Sequence, residues 1–196
     1  MLTQQKVGAE ELVRIAIGGS DTANLLDREW LLTNERGSYA AGTIIGCNTS
    51  GYHGLLIGSL NPPVNRVMAL SNCQEIVNCG SQTYHLSTFE FSGEPVLAPC
   101  PHLREFRRDT GAHFIYEFET VELHKGVYLA SDSDTVILEY TFEGIMEPLE
   151  FIVRPFVGLR DFHHMQHDDA SLRCDRQGSE WVARYDAPGS CVLRMN

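Results

Sequence analysis

Period-two alternation runs through the middle of this chain and leaves little room for helices. Val136, Leu138, Tyr140 and Phe142 alternate with Ile137, Glu139 and Thr141, and Phe114, Tyr116 and Phe118 alternate with Ile115, Glu117 and Glu119. Val121, Leu123, Val127 and Leu129 share one face, with Glu122, His124 and Tyr128 on the other. Leu149, Phe151 and Val153 alternate with Glu150 and Arg154, and Trp181, Ala183 and Tyr185 with Arg184. Side chains of a strand point alternately to opposite faces, so this pattern, rich in β-branched and aromatic residues, predicts half-buried antiparallel strands.

The breaks agree. "DTGA", "SDSD", "EGIMEP", "RQGS" and "APGS" fall between the alternating runs at turn-like spacing. "DRQGSEW" reads as a hairpin turn opening the strand at Trp181. Pro62 and Pro63 are a firm break, because proline cannot donate to a central ladder. Residues 94–102 read as a proline-rich loop. Residues 9–17 fit a short helix or an extended arm equally well, so residues 1–27 are expected to be an N-terminal arm, a first strand or a short helix. Residues 28–196 are expected to form one sandwich. Many strands and few or no helices predict an all-β, antiparallel sandwich or barrel. The last run ends at Asn196 without a polar tail, as expected of a piece of a longer polypeptide.

Composition narrows the partners. A net charge of −11 over 196 residues repels phosphate backbones and anionic lipid. Nucleic acid and membrane surfaces are therefore poor partners, whereas neutral sugars carry no such penalty. The six cysteines form no C-x-x-C pair, and the first twenty residues lack the layout of a secretory signal. Free thiols in a reducing cytoplasm are the expectation.

Three stretches depart from plain alternation. Residues 28–46 carry Trp30, a polar turn with Asn34 and Arg36, then Tyr39 and the small residues Ala40, Ala41 and Gly42. Small residues admit a close backbone or ligand approach, and a tightly packed hairpin explains them equally. Residues 48–56, "NTSGYHGLL", place Asn48, Tyr52, His53 and Gly54 at the mouth of an apolar run. An aromatic plane beside polar groups suits a sugar, whose C–H face stacks while its hydroxyls pair. The plain alternative is a core tyrosine and a structural histidine. Residues 154–169 crowd Arg160, Asp161, His163, His164 and His167 together. The four-residue spacing of His163 and His167 suits a metal only on a helix, which Gly158 and the strand pattern disfavour, so no metal or other cofactor is expected. Arg160 and Asp161 are expected to form an ion pair or an interdomain contact. No G-x-S-x-G, H-E-x-x-H or Walker loop is present.

Taken in order, these motifs resemble the N-terminal domain of prokaryotic glycogen debranching enzymes of the amylo-alpha-1,6-glucosidase type. The resemblance rests on Trp30 to Asn34, Gly37 to Ala40, Tyr52 to Leu56, the Pro62–Pro63 turn and Arg66. It continues through "LREFRRD", "HKGVYLASDSDTVILEYTF" and "RPFVGLRDFHH". The chain departs from the family pattern at Ser38, and at Ser50 and Gly51 where the family usually carries two arginines. The resemblance implies a β-sandwich of the supersandwich, galactose-mutarotase-like kind, preceding an (α/α) barrel that carries the catalytic acids. It implies glucan binding or length selection by a non-catalytic domain, with α-glucans (glycogen, maltooligosaccharides) and that barrel as partners. The candidate sugar-contacting residues are Trp30, Asn34, Arg36, Tyr39, Asn48, Tyr52, His53, Arg160, Asp161 and His163. Two other readings remain at this stage. One is a purely structural docking module. The other is a stand-alone mutarotase or epimerase using His53, His163 and a nearby glutamate.

Overall fold

The structure is a computed structural model that describes residues 13–17, 25–62, 64–89, 101–164, 171–185 and 191–196. Among the described residues there are fourteen strands, β1 (Val13–Ala16), β2 (Glu29–Thr33), β3 (Tyr39–Thr43), β4 (Gly54–Asn61), β5 (Val64–Cys79), β6 (Gln82–His85), β7 (Leu103–Arg108), β8 (Ala112–Phe118), β9 (Val121–Leu129), β10 (Val136–Glu143), β11 (Leu149–Asp161), β12 (Leu172–Gln177), β13 (Glu180–Tyr185) and β14 (Val192–Met195). The fold is all-β, as the alternation requires. No helix among the described residues is long and apolar enough to cross a membrane.

Two antiparallel sheets face each other. One runs β1-β7-β8-β9-β10, the other β11-β5-β4-β3-β2 with β6 pairing the far end of β5. A third sheet, β12-β13-β14, stands beside β11, where the Tyr185 hydroxyl donates to the Gly158 carbonyl at 2.8 Å. Val13–Ala16, inside the stretch that fitted either a helix or an arm, is a strand paired with β7. The break expected at Pro62 falls between β4 and β5, and the hairpin expected at Gly178 is the β12–β13 turn. Residues 94–100 of the proline-rich stretch, with Cys100 among them, and His167 lie outside the described residues. The described cysteines, at 47, 73, 79, 174 and 191, are free thiols.

The core is the layer between the two large sheets. Leu123, Val127, Phe114, Tyr116 and Phe118 from one sheet meet Leu56, Leu70, Val77, Ala40 and Leu32 from the other. The inward positions of β9 also include Lys125, which is buried. Its ammonium lies 2.6 Å from Glu75 Oε1 on β5, and Glu75 is 0% exposed. The Tyr140 hydroxyl donates to the same oxygen at 2.7 Å, and the Ser87 hydroxyl donates to Glu75 Oε2. One carboxylate thus takes a cation and two hydroxyls from three segments and ties the layers together. Burial and the Glu75 charge push the nearby Cys73 thiol up to about 12, so it stays protonated and inert.

The small residues of β3 now have a structural reason. Gly42 pairs with Trp30, and a Cβ built there would touch the indole at 3.6 Å. The indole lies across the glycine, its ring edge-on to Phe114 at 6.0 Å, and thereby links the two sheets. Gly144 is a stricter case. Its φ is +71°, and a Cβ would sit 2.1 Å from the Thr120 carbonyl oxygen. Gly144→Ala is expected to destabilise the domain by about 1–3 kcal/mol, read from the urea midpoint. An unchanged midpoint would mean that the β10–β11 connection does not hold this geometry.

Candidate functional site

The β2–β3–β4 corner positions the site. Strand β2 buries Trp30 and Leu32 and turns Glu29 and Leu31 outward. Tyr39 opens β3, and the loop before β4 brings Ser50, Tyr52 and His53 alongside. Glu29, Leu31, Tyr39, Ala41, Ser50 and Tyr52 surround an open pocket of about 360 Å³, with the buried Trp30 and His53 beneath it. Ala41 leaves the floor shallow, which is what small residues on the outward face of β3 contribute.

Tyr52 and His53 divide the roles the sequence left open. Tyr52 is 49% exposed. Its ring packs against Phe162 at 5.5 Å and edge-on to His163 at 5.9 Å, and its hydroxyl lies 3.4 Å from His163 Nδ1. His53 is buried, 5% exposed. Its Nδ1 accepts the Thr49 amide at 3.2 Å, so Nε2 carries the hydrogen and donates to Glu29 at 3.1 Å. Both ring nitrogens are therefore engaged. The imidazole holds the loop and orients the Glu29 carboxylate, which is itself exposed. Gly54 follows because a Cβ there would collide with the Met68 and Ile57 side chains, at 2.4 and 2.9 Å. The glycine thus answers to core packing.

The other sequence candidates fall into two groups. Arg160, Asp161 and His163 gather with Tyr39 and Tyr52. Arg160 does not pair with the Asp161 carboxylate as the sequence suggested. Its Nη1 donates to the carbonyls of Asp161, Phe162 and His164, and its Nη2 to that of Gly51 at 2.7 Å. A planar fork surrounded by loop carbonyls spends its donors on them, while Asp161 turns back to accept the His163 amide at 2.8 Å. Arg160 thus fastens the turn after β11 to the loop carrying Tyr52. The Tyr39 hydroxyl donates to the Tyr52 carbonyl at 3.1 Å and adds a second tie.

Asn34, Arg36 and Asn48 are committed elsewhere. Asn34 donates to the carbonyls of Ala130 and Ser133 and accepts the amides of Arg36 and Ser38. Arg36 pairs with Asp134 at 3.3 Å. Burial alone would raise the Asp134 carboxyl, but Ser38, the Ser59 amide and Arg36 outweigh it and hold it below its ordinary value. Together they clasp the β2–β3 turn to the β9–β10 turn. Asn48 donates to Ser71 at 3.1 Å and holds its loop to β5. Trp30 gives its indole N–H to the Thr43 carbonyl at 3.1 Å and is only 5% exposed.

Sequence reasoning missed Glu29, Leu31 and Phe162 as site residues. For the first two the signal was parity on β2, since Trp30 inward puts both neighbours outward. Phe162 reaches Tyr52 only through folding.

Over residues 28–195 the chain matches the family described as glycogen debranching enzyme N terminal. It belongs to that family. No curated protein and no solved structure matches the chain. In this glycogen debranching enzyme N-terminal domain, Arg160 braces an open corner where an exposed aromatic ring lies beside a carboxylate and hydroxyl groups.

Proposed function

We propose that this domain binds α-glucan chains, glycogen or maltooligosaccharide, at the Tyr52 corner and presents them to a catalytic (α/α) barrel of the same enzyme. The observation that carries this reading is Tyr52 itself. An exposed ring, backed by Phe162 and His163 and tied through its backbone to Tyr39, is pre-organised for stacking beside a pocket lined by Glu29 and Ser50. Pre-organisation matters because a single stacked sugar is a weak contact. Chemistry belongs to the barrel, and free thiols fit a cytoplasmic setting. Both ring nitrogens of His53 are engaged, which argues against its use as the acid or base of a stand-alone epimerase.

Titration with maltoheptaose, followed by amide and aromatic NMR shifts, tests the reading. Millimolar binding that perturbs Tyr52, Ser50 and Glu29 is expected. Tyr52→Ala should weaken it about fivefold, whereas Tyr52→Phe should retain it, because the ring is the platform. Shifts confined to another face, or full binding by Tyr52→Ala, would leave only the barrel-docking role.

A further inference from the structure

Two arginines approach the Tyr52 corner of a chain whose net charge is −11, and each is used differently. Arg160 is spent on four loop carbonyls. Arg66, on β5, donates only its Nε, to the Gly37 carbonyl at 3.3 Å. Among the described residues, no carboxylate lies within ion-pair distance of Arg66 or Arg160, and neither Nη of Arg66 has a hydrogen-bond partner. The Arg66 guanidinium stands 6.0 Å from the centre of the Phe162 ring, which in turn stands 5.5 Å from that of Tyr52. Both arginines also act electrostatically on the Tyr39 phenol. Burial raises its pKa, and the two guanidiniums pull against that rise.

A half-buried guanidinium with its planar fork open, with the Arg160 guanidinium at the same corner, is a site for an oxyanion. The acidic balance of the chain makes the pairing notable. Twenty-six acidic side chains are available, and none of the described ones fills this position. Asp161 is the nearest acid on the same turn, and it accepts the His163 amide instead.

We infer that the Arg66 fork binds a phosphate monoester carried by a sugar seated on Tyr52. The inference rests on the glucan reading above and sharpens it from plain to phosphorylated glucan. The phosphate oxygens would take the two free Nη groups, with the Arg160 charge behind them. The sugar would lie over the Tyr52 and Phe162 rings, which connect the two subsites.

The test compares glucose 6-phosphate, glucose and inorganic phosphate as NMR titrants at low salt, alongside maltoheptaose. The proteins are wild type, Arg66→Gln, Arg66→Lys and the distant control Arg154→Gln, each checked by its melting curve. Glucose 6-phosphate is expected to bind about fivefold more tightly than glucose or phosphate, shifting both the Arg66 side chain and the Tyr52 ring. Arg66→Gln should abolish that advantage, Arg66→Lys should keep part of it, and Arg154→Gln should keep all of it. Added salt should erode it, because the fork is solvent-accessible. Maltoheptaose binding with no phosphate advantage would overturn the inference and leave the glucan reading standing. Inorganic phosphate binding as well as the sugar phosphate would also overturn it, as would an advantage that survives Arg66→Gln in a folded protein. No maltoheptaose binding in any variant would remove the glucan reading instead.

Discussion

Lys125→Met is expected to cost about 3–5 kcal/mol. The lysine is 6% exposed and lies 2.6 Å from a carboxylate that is completely buried. Removing the cation leaves Glu75 charged between two apolar layers, with only the Tyr140 and Ser87 hydroxyls to solvate it. The ammonium also stands 5.5 Å from the Phe114 ring, so a cation–π contact goes with it. The double variant Glu75→Leu/Lys125→Met should recover most of the loss, because an apolar pair of similar volume carries no desolvation penalty. Urea unfolding of the two single variants and the double variant measures the coupling. A Lys125→Met protein as stable as wild type would mean that the pair is hydrated in solution and does not join the sheets.

That pair also shows where reading along a chain stops. The alternation of β8, β9, β10, β11 and β13 identified strands and faces, because parity is a local property. Parity also places Lys125 inward, between Leu123 and Val127. A lysine there is taken for solvated until its partner is known, and Glu75 lies fifty residues earlier on another sheet. Asp134 is the same case. Within "SDSD" it is a turn residue. Its role of clasping Arg36, Ser38 and the Ser59 amide exists only once the β9–β10 turn meets the β2–β3 turn.

The site divides along the same line. Tyr52 was legible as an aromatic at a strand mouth, and it is exposed. What braces it was not legible, since Phe162, His163 and Arg160 arrive from the end of β11 more than a hundred residues later. The polar candidates Asn34 and Asn48 are the residue types that meet sugars. They are equally the types that satisfy loop carbonyls, and here they do the latter. Residue type alone does not separate those uses; burial and partners do.

Trp30→Ala is expected to cost about 3–5 kcal/mol, whereas Tyr52→Ala should stay within about 0.5 kcal/mol of wild type. The indole fills the layer between β2 and β8, edge-on to Phe114, and lies across Gly42, so truncation opens a cavity that backbone cannot fill. It also strands the Thr43 carbonyl that the indole N–H satisfies. Tyr52 projects outward, and its truncation removes only surface contacts with Phe162 and His163. Trp30→Phe keeps most of the volume and loses the hydrogen bond, so an intermediate loss is expected with maltoheptaose affinity intact. The two aromatics should therefore dissociate. One variant loses stability while binding persists in the fraction that stays folded, and the other binds more weakly at nearly full stability. Thermal melts paired with the maltoheptaose titration read both quantities on the same samples. A Trp30→Phe protein that melts like wild type yet no longer binds sugar would move the platform from Tyr52 to the indole and place the ligand deeper in the corner.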